Sequence, residues 1–443
     1  MPPSAASRLL VIERPPPIMS DDGVRVTVEM GDLPPVEQFV GERWALDLVG
    51  AARQLFDAGV HGLLRAEPDM VLAFRHRDVR ALAVAPAAGN TPVEVLMRRA
   101  TEAGAPPDSG MAPIISNQVF TFNPPLHAEA RRVLTRQMMP ANTPRFAPLV
   151  ERLLDEILAD LAGRQAFDAC AEFAQRLAAR FWGELIGLCR GEQEEMQGLM
   201  EVVSTVFLAD MSFDQYVELD QGVRRYMELV TSSVERAMSD RGGAQLDPLG
   251  IELLEEMERD LAEIDVPGAP ETVGFMAAGN FFDGFHTLGV GIANALCLLL
   301  GHPSSYQRVR ADGRLASAAY DEGTRLAAPL TLTTRYTLNE IEHDGVRLPP
   351  NTRVAMHWAG ANLDPEAFDD PRTYRLDRPG RGLMTFGGGP HLCPGRNISR
   401  FVGEIALRRL VHRPERLMLT AGGADWIEGA SAAQLRSCIV QSR

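Results

Sequence analysis

The side chains best placed to do chemistry cluster in Phe386-Gly-Gly-Gly-Pro-His-Leu-Cys-Pro-Gly395. One cysteine, Cys393, stands among glycines that let the backbone turn tightly and approach a large flat ligand. Gly387, Gly388 and Gly389 keep side chains out of that approach. Pro394 and Gly395 lead into an apolar run over 398–410 that reads as a helix. The sulfur therefore lies just ahead of a helix N-terminus, where backbone N–H groups and the dipole favour a thiolate. A thiolate held this way, with one face open, suits a haem iron as its proximal ligand. Two other chemistries fit less well. A phosphate cradle would carry Lys-Ser/Thr after the glycines, and this loop does not. A zinc centre needs more ligands at short spacing than His391 and Cys393 supply.

Other polar residues are notable for their spacing. Pro124 and Pro125 end a loop, after which His127 and Arg131 fall four apart on one helix face. Glu322 and Arg325 fall three apart in a second predicted helix. By spacing alone, both pairs also read as ordinary solvated pairs. A third group, Asn280, Asp283 and His286, interrupts a long apolar stretch.

These residues need elements to position them. Pro270-Glu271 predicts the start of a long helix, since proline suits a first turn and an early acid suits the dipole. It reaches 300, where Gly301 and Pro303 stop it. Apolar nearly all round, it reads as a buried central helix, and its polar residues argue against a membrane span. Helical patterns also cover 44–59, 78–84, 312–328 and almost all of 149–261, with breaks near Gly187, Ser212 and Gly242. Strands are predicted at 24–28, 70–74, 331–337 and 345–355. Residues 85–118, rich in Pro, Ala and Gly, read as a long irregular connection of a kind that is often functional.

Composition narrows the class. In 443 residues, 45% are apolar and 23% charged, an ordinary globular balance. The net charge of −15 disfavours a nucleic-acid partner. Cys170, Cys189, Cys297, Cys393 and Cys438 show no framework spacing, which points to a reducing compartment. The apolar run at 9–12 is too short for a signal peptide or a membrane anchor. A soluble, cytoplasmic protein is the expectation.

Phe386, Gly389, Cys393 and Gly395 match F-x-x-G-x-x-x-C-x-G, and the chain resembles the cytochrome P-450 superfamily, soluble bacterial type. Glu322-Gly-Thr-Arg325 resembles the family's second signature. Four motifs stand in order from about residue 41 to the C-terminus. The resemblance implies a mainly α fold with small β-sheets in one large domain over 41–443, with 1–40 as a lead-in. It implies haem b, ligated by Cys393 in a loop that includes Phe386, Gly387 and Gly395. His127, Arg131, Arg335 and His391 match the family's propionate-binding positions. Asn123 stands where the family usually has Asp, and Thr373 where it has Arg or His completing a triad with Glu322 and Arg325. Arg372, next to Thr373, is the candidate substitute.

The resemblance further implies O₂ activation to hydroxylate a largely hydrophobic small molecule, as in secondary metabolism or catabolism, with electrons from a ferredoxin-type donor and its reductase. Three alternatives stay open: a peroxide-driven peroxygenase, an O₂-independent isomerase or dehydratase, and a non-catalytic haem or ligand-binding protein. Thr287, sixteen residues before Pro303, matches the family's catalytic threonine. The usual small-Gly-x-acid-Thr is here Asp283-Gly-Phe-His286-Thr287. A competing register on Ala278-Gly279 puts Phe281 and Phe282 at the acid and threonine positions and is disfavoured. One reading makes His286 a proton relay to Thr287, with Asp283 a substrate anchor or a distal acid–base group. The other has His286 bonding a neighbouring helix and Asp283 pairing with a base. By the same resemblance, the pocket wall draws on 85–118, 281–285, 330–332 and the segment near Ala430, with 192–241 as its lid.

Overall fold

A helix of 28 residues, Val273–Leu300, runs through the middle of the molecule. The computed structural model describes residues 28–442 apart from 103–105, 107–108, 208–211, 240–246 and 430. This central helix buries side chains on most of its circumference, among them Met276, Phe281, Phe285, Leu288 and Ile292. It is long and apolar enough to cross a membrane, but 78% of its most apolar window is covered by other parts of the protein. It is a core helix. Met111–Asn117, Arg176–Leu185, Phe213–Ser239, Ala316–Leu326 and Arg396–Val411 pack around it. Thr272 Oγ1 accepts the Phe275 N–H at 3.2 Å, so the helix begins at a hydroxyl cap and Pro270-Glu271 lie ahead of it.

A five-stranded sheet lies to one side, in the order Leu64–Glu67, Met70–Ala73, Arg353–Met356, Thr333–Thr337 and Ala88–Gly89. The last long pairing sets Arg335 opposite Val354. Two three-stranded sheets complete the fold. One joins Val28–Glu29, Val346–Leu348 and Ile341–His343; the other joins Leu417–Trp426, Leu435–Ser442 and Ala166–Asp168. The mainly helical class with small sheets is therefore as expected.

Several expectations need correction. Residues 85–118 are not irregular: they hold Val93–Glu102 and Met111–Asn117 as helices. Their prolines hid this, but Pro92 precedes one helix and Pro113 lies in the first turn of the other, where proline is tolerated. Residues 345–355 split into two strands, because Pro349 and Pro350 have no N–H to give a ladder. Ala166–Asp168 is a strand inside a stretch read as helical. Of the predicted strand 24–28 only Val28 is described, and the break near Gly242 lies outside the described residues.

One buried corner ties the sheet side to the helices. Arg325 grips Glu322 with two bonds of 2.8 Å and donates to the Asn362 and Pro371 carbonyls at 2.8 and 2.7 Å. The third member of this group is Arg378, whose Nε lies 3.2 Å from both Glu322 oxygens. Arg372 instead reaches Asp57 at 2.6 Å. The sequence neighbour thus faces outward, and a residue five places beyond Thr373 folds back to fill the role.

Candidate active site

The Cys393 loop is built from both ends. Asn362 Oδ1 accepts the Met384 N–H at 2.7 Å and its Nδ2 donates to Thr385 Oγ1 at 3.0 Å. The Cys393 N–H closes back onto the Phe386 carbonyl at 2.9 Å. Gly389 has φ +67°, and a Cβ there would stand 1.9 Å from the Ala83 carbonyl, so no other residue fits without moving that helix end. Helix Arg396–Val411 begins three residues after the sulfur. Burial pushes the Cys393 thiol up to about 11, while the Gly395 and Arg396 N–H groups and Arg131 pull it down. The helix entrance therefore acts as expected but is outweighed, and a cation against the sulfur is what would hold it as thiolate.

A cavity of ≈ 1300 Å³, counting its open mouth, lies between this loop and the central helix. At one end four nitrogen-bearing side chains converge. His127 and His391 rings stand 3.9 Å apart between centroids, and Arg131 donates to the Leu392 carbonyl. Arg335 is 2% exposed, yet among the described residues it hydrogen-bonds only to Asn90 Oδ1 and the Thr334 carbonyl, at 3.2 and 3.3 Å, beside the rings of Phe120 and Trp358. Burial pulls Arg335 down to about 10. His127 is drawn to about 4 and His391 to about 2, each by burial first and then by the neighbouring arginines. Arg335 Nε and His127 Nε2 are buried and have no hydrogen-bond partner among the described residues. Orphan donors on and beside a buried guanidinium fit the carboxylates of a haem propionate pair. With a cysteine sulfur in the same cavity, the residues present fit haem.

Asn90, which the sequence reading missed, organises this end. Its Nδ2 contacts the His391 ring at 2.9 Å. Its backbone N–H donates to Asn123 Oδ1 at 2.8 Å and its carbonyl accepts Asn123 Nδ2 at 2.9 Å. That exchange explains the departure at Asn123, since an aspartate could accept but not donate.

The opposite wall is the central helix. Asp283, Gly284 and Thr287 line the cavity. Thr287 Oγ1 donates to the Asp283 carbonyl at 2.7 Å. Asp283 Oδ2 accepts Gln118 Nε2 at 2.8 Å. Asp283 shows surface to the cavity but lies deep beneath the outer surface. Burial raises its carboxyl to about 6, against the Gln118 bond, which lowers it. The partner is an amide rather than a base, so neither expectation about Asp283 anticipated it.

His286 is not brought to the cavity. It is buried, and its Nε2 lies 2.9 Å from Gln434 Oε1, ahead of the last strand. Burial draws it down to about 4. One residue of helix turns a side chain by about 100°, which separates His286 from Thr287. The relay expected of His286 is thus not carried by the geometry. Phe282 and Phe285 likewise turn away to pack on Tyr226, and only Phe281 of the three lines the cavity. Among the described residues of 85–118 only Gln118 lines it, and Ala430 lies outside the described residues. Gln118 and Asn90 carried no motif; amides that bond locally leave no spacing signal.

The family model for cytochrome P450 matches residues 94–418. The 6-deoxyerythronolide B hydroxylase of Saccharopolyspora erythraea is 28% identical over 305 residues, covering 69% of this chain and 72% of the relative. The C-19 steroid 1alpha-hydroxylase of Sorangium cellulosum is 28% identical over 292 residues, covering 65% and 71%. Among solved structures, CalO2 superposes with a TM-score of 0.75 at 22% identity, covering 90% of this chain and 97% of the other. P450BioI bound to a fatty-acylated acyl carrier protein gives 0.74 at 18%, covering 90% and 99%. With a thiol-bearing loop, an acid-free cation cluster and a family match over most of its length, this chain belongs to the cytochrome P450 family and is a haem b-binding, thiolate-ligated monooxygenase.

Proposed function

We propose that the chain oxidises a largely hydrophobic small organic molecule in the cytoplasm, with a ferredoxin-type electron donor, and that Cys393 supplies the thiolate. The observation that carries this reading is the convergence of Arg131, Arg335, His127 and His391 on the cavity that also holds the Cys393 sulfur. When bound, haem supplies O₂ activation and oxygen insertion. Arg335, Arg131, His127 and His391 would hold its carboxylates. Phe386, Gly387 and Gly395 line the same side of the cavity as the sulfur. Thr287 presents an oxygen whose own hydrogen is already given to the Asp283 carbonyl, and the Asp283 carboxyl can hold or release a proton near neutral pH. Val119, Phe120, Phe281 and Leu330 give the cavity apolar walls, which favour an apolar ligand body.

The test is the reduced carbonyl spectrum of the purified protein, followed by product analysis. Wild type should show the family's thiolate Soret band and Cys393→His should lose it. Replacing Cys170, Cys189, Cys297 or Cys438 should leave it in place. Turnover with NAD(P)H, ferredoxin and reductase but not with H₂O₂ alone supports the monooxygenase route. Turnover only with H₂O₂ would replace it with the peroxygenase.

A further inference from the structure

Resting on the assignment of this cavity as the haem pocket, we infer that Asp283 is a substrate-anchoring carboxylate and that the preferred substrates carry a protonated amine on an otherwise apolar body. The argument begins with what Asp283 is not needed for. Gln118 belongs to the segment after Met111–Asn117, which lies directly on the central helix. Gly279 permits that contact, because a Cβ there would come within 2.5 Å of the Asn117 carbonyl oxygen. Asn280 then fixes the segment: its Oδ1 accepts the Val119 N–H at 2.9 Å and its Nδ2 donates to the Asn117 carbonyl at 3.0 Å. The segment is held by a neutral side chain one turn away. A second neutral amide at 283 would serve the fold as well, without the cost of burying a charge.

The carboxylate gives the cavity acceptors. Oδ2 takes the Gln118 bond, and Oδ1 has no donor among the described residues. Gln118 gives one N–H to that bond and keeps its second N–H and Oε1, and Oε1 likewise has no donor among the described residues. Thr287 has spent its hydrogen on the helix and offers lone pairs. Trp182 also lines the cavity, beside Gly284, but its indole Nε1 is itself buried, with no partner among the described residues. The arginines that line the cavity belong to the opposite end, with the haem carboxylates. A wall made of a carboxylate, an amide oxygen and a hydroxyl oxygen complements an N⁺–H donor. Above the pH at which Asp283 ionises, it also complements positive charge.

The experiment uses holoenzyme at pH 8 and two probes of similar size, N,N-dimethyloctylamine and the neutral N,N-dimethyloctanamide. Binding is read by calorimetry and by the Soret shift; the tertiary nitrogen keeps the amine from ligating iron strongly. Wild type should bind the amine roughly ten- to a hundredfold more tightly than the amide, the range of one charge-assisted bond. Asp283→Asn should abolish that preference while leaving the amide no weaker. Equal affinities in wild type, no amine binding, or an Asp283→Asn variant that loses both probes alike would each overturn the inference. A protein that never shows the thiolate Soret band would instead overturn the haem assignment, so the two failures are told apart before any probe is added.

Discussion

Arg325 and Arg335 are both among the most deeply buried side chains of this chain, and their surroundings answer them differently. At the 322–378 corner, Arg325 faces Glu322 in a two-bond pair, Arg378 completes it, and the spare donors go to carbonyls. At the cavity, Arg335 meets no carboxylate among the described residues, and its Nε has no hydrogen-bond partner there. On the facing wall Asp283 meets no cation among the described residues. A buried charge without a partner costs several kcal/mol. At this cavity the chain bears that cost with charges of both signs. Charges neutralised within the chain hold the fold; charges of both signs left unmatched across one cavity mark where outside groups bind.

The sharpest way to break this contrast is to delete one charge from each site. Glu322→Ala strands two buried guanidinium groups and should destabilise the protein by about 3–5 kcal/mol. Arg335→Met removes a charge that the apoprotein does not compensate, so the apoprotein should be as stable as wild type or more so. Urea unfolding of both apoproteins decides the matter. An Arg335→Met apoprotein destabilised as much as Glu322→Ala would show that Arg335 is structurally matched after all.

Haem loading should reverse the ranking. In holoprotein, Arg335→Met and Arg131→Met each lose a charge-assisted bond of roughly 1.5–3 kcal/mol, seen as haem transfer to apomyoglobin about ten- to a hundredfold faster. Arg378→Ala should leave transfer near the wild-type rate while lowering the unfolding midpoint. Wild-type haem retention in both Arg335→Met and Arg131→Met would sink the propionate assignment.

The same contrast explains what could be read from the sequence. The Cys393 loop was legible because metal ligation, close backbone approach and a helix start must all be satisfied within ten residues. The central helix was legible from its composition, whereas Glu322-Gly-Thr-Arg325 was legible through the family resemblance and not from its spacing, which an exposed pair shares. What failed depended on which face a residue presents or on folding back from a distance. Arg372 stands beside the expected position but turns to Asp57, and Arg378 returns from further along. His286 occupies the acid's place in the motif but faces Gln434. Asn90 and Gln118 act through local amide bonds that no residue pattern announces. Short helices within 85–118 were hidden by prolines that sit where helices accept them.

The smallest predicted effect tests whether Asp283 is unmatched in the protein itself. Its carboxyl is pushed up to about 6 by burial, whereas in the unfolded chain it ionises near the usual value of about 3.9. Between those values the folded protein holds a proton that the unfolded chain has released. Stability from this group therefore falls as pH rises through that window, and the full penalty stands above about 7. His286 and His357 run the opposite way. Burial draws each to about 4, so the unfolded chain gains a proton first and stability is lost as pH falls from about 6.5 toward 4. A single stability curve mixes these groups, but the difference between Asp283→Asn and wild type isolates one of them. That difference should shift in favour of the variant by roughly 1 kcal/mol between pH 5 and pH 7.5 and then level off, measured by urea unfolding of apoprotein at each pH. A difference that stays flat across this range would mean that Asp283 ionises as an ordinary carboxylate. It would then have a compensating partner within the chain, and the cavity would be unmatched at its cationic end alone.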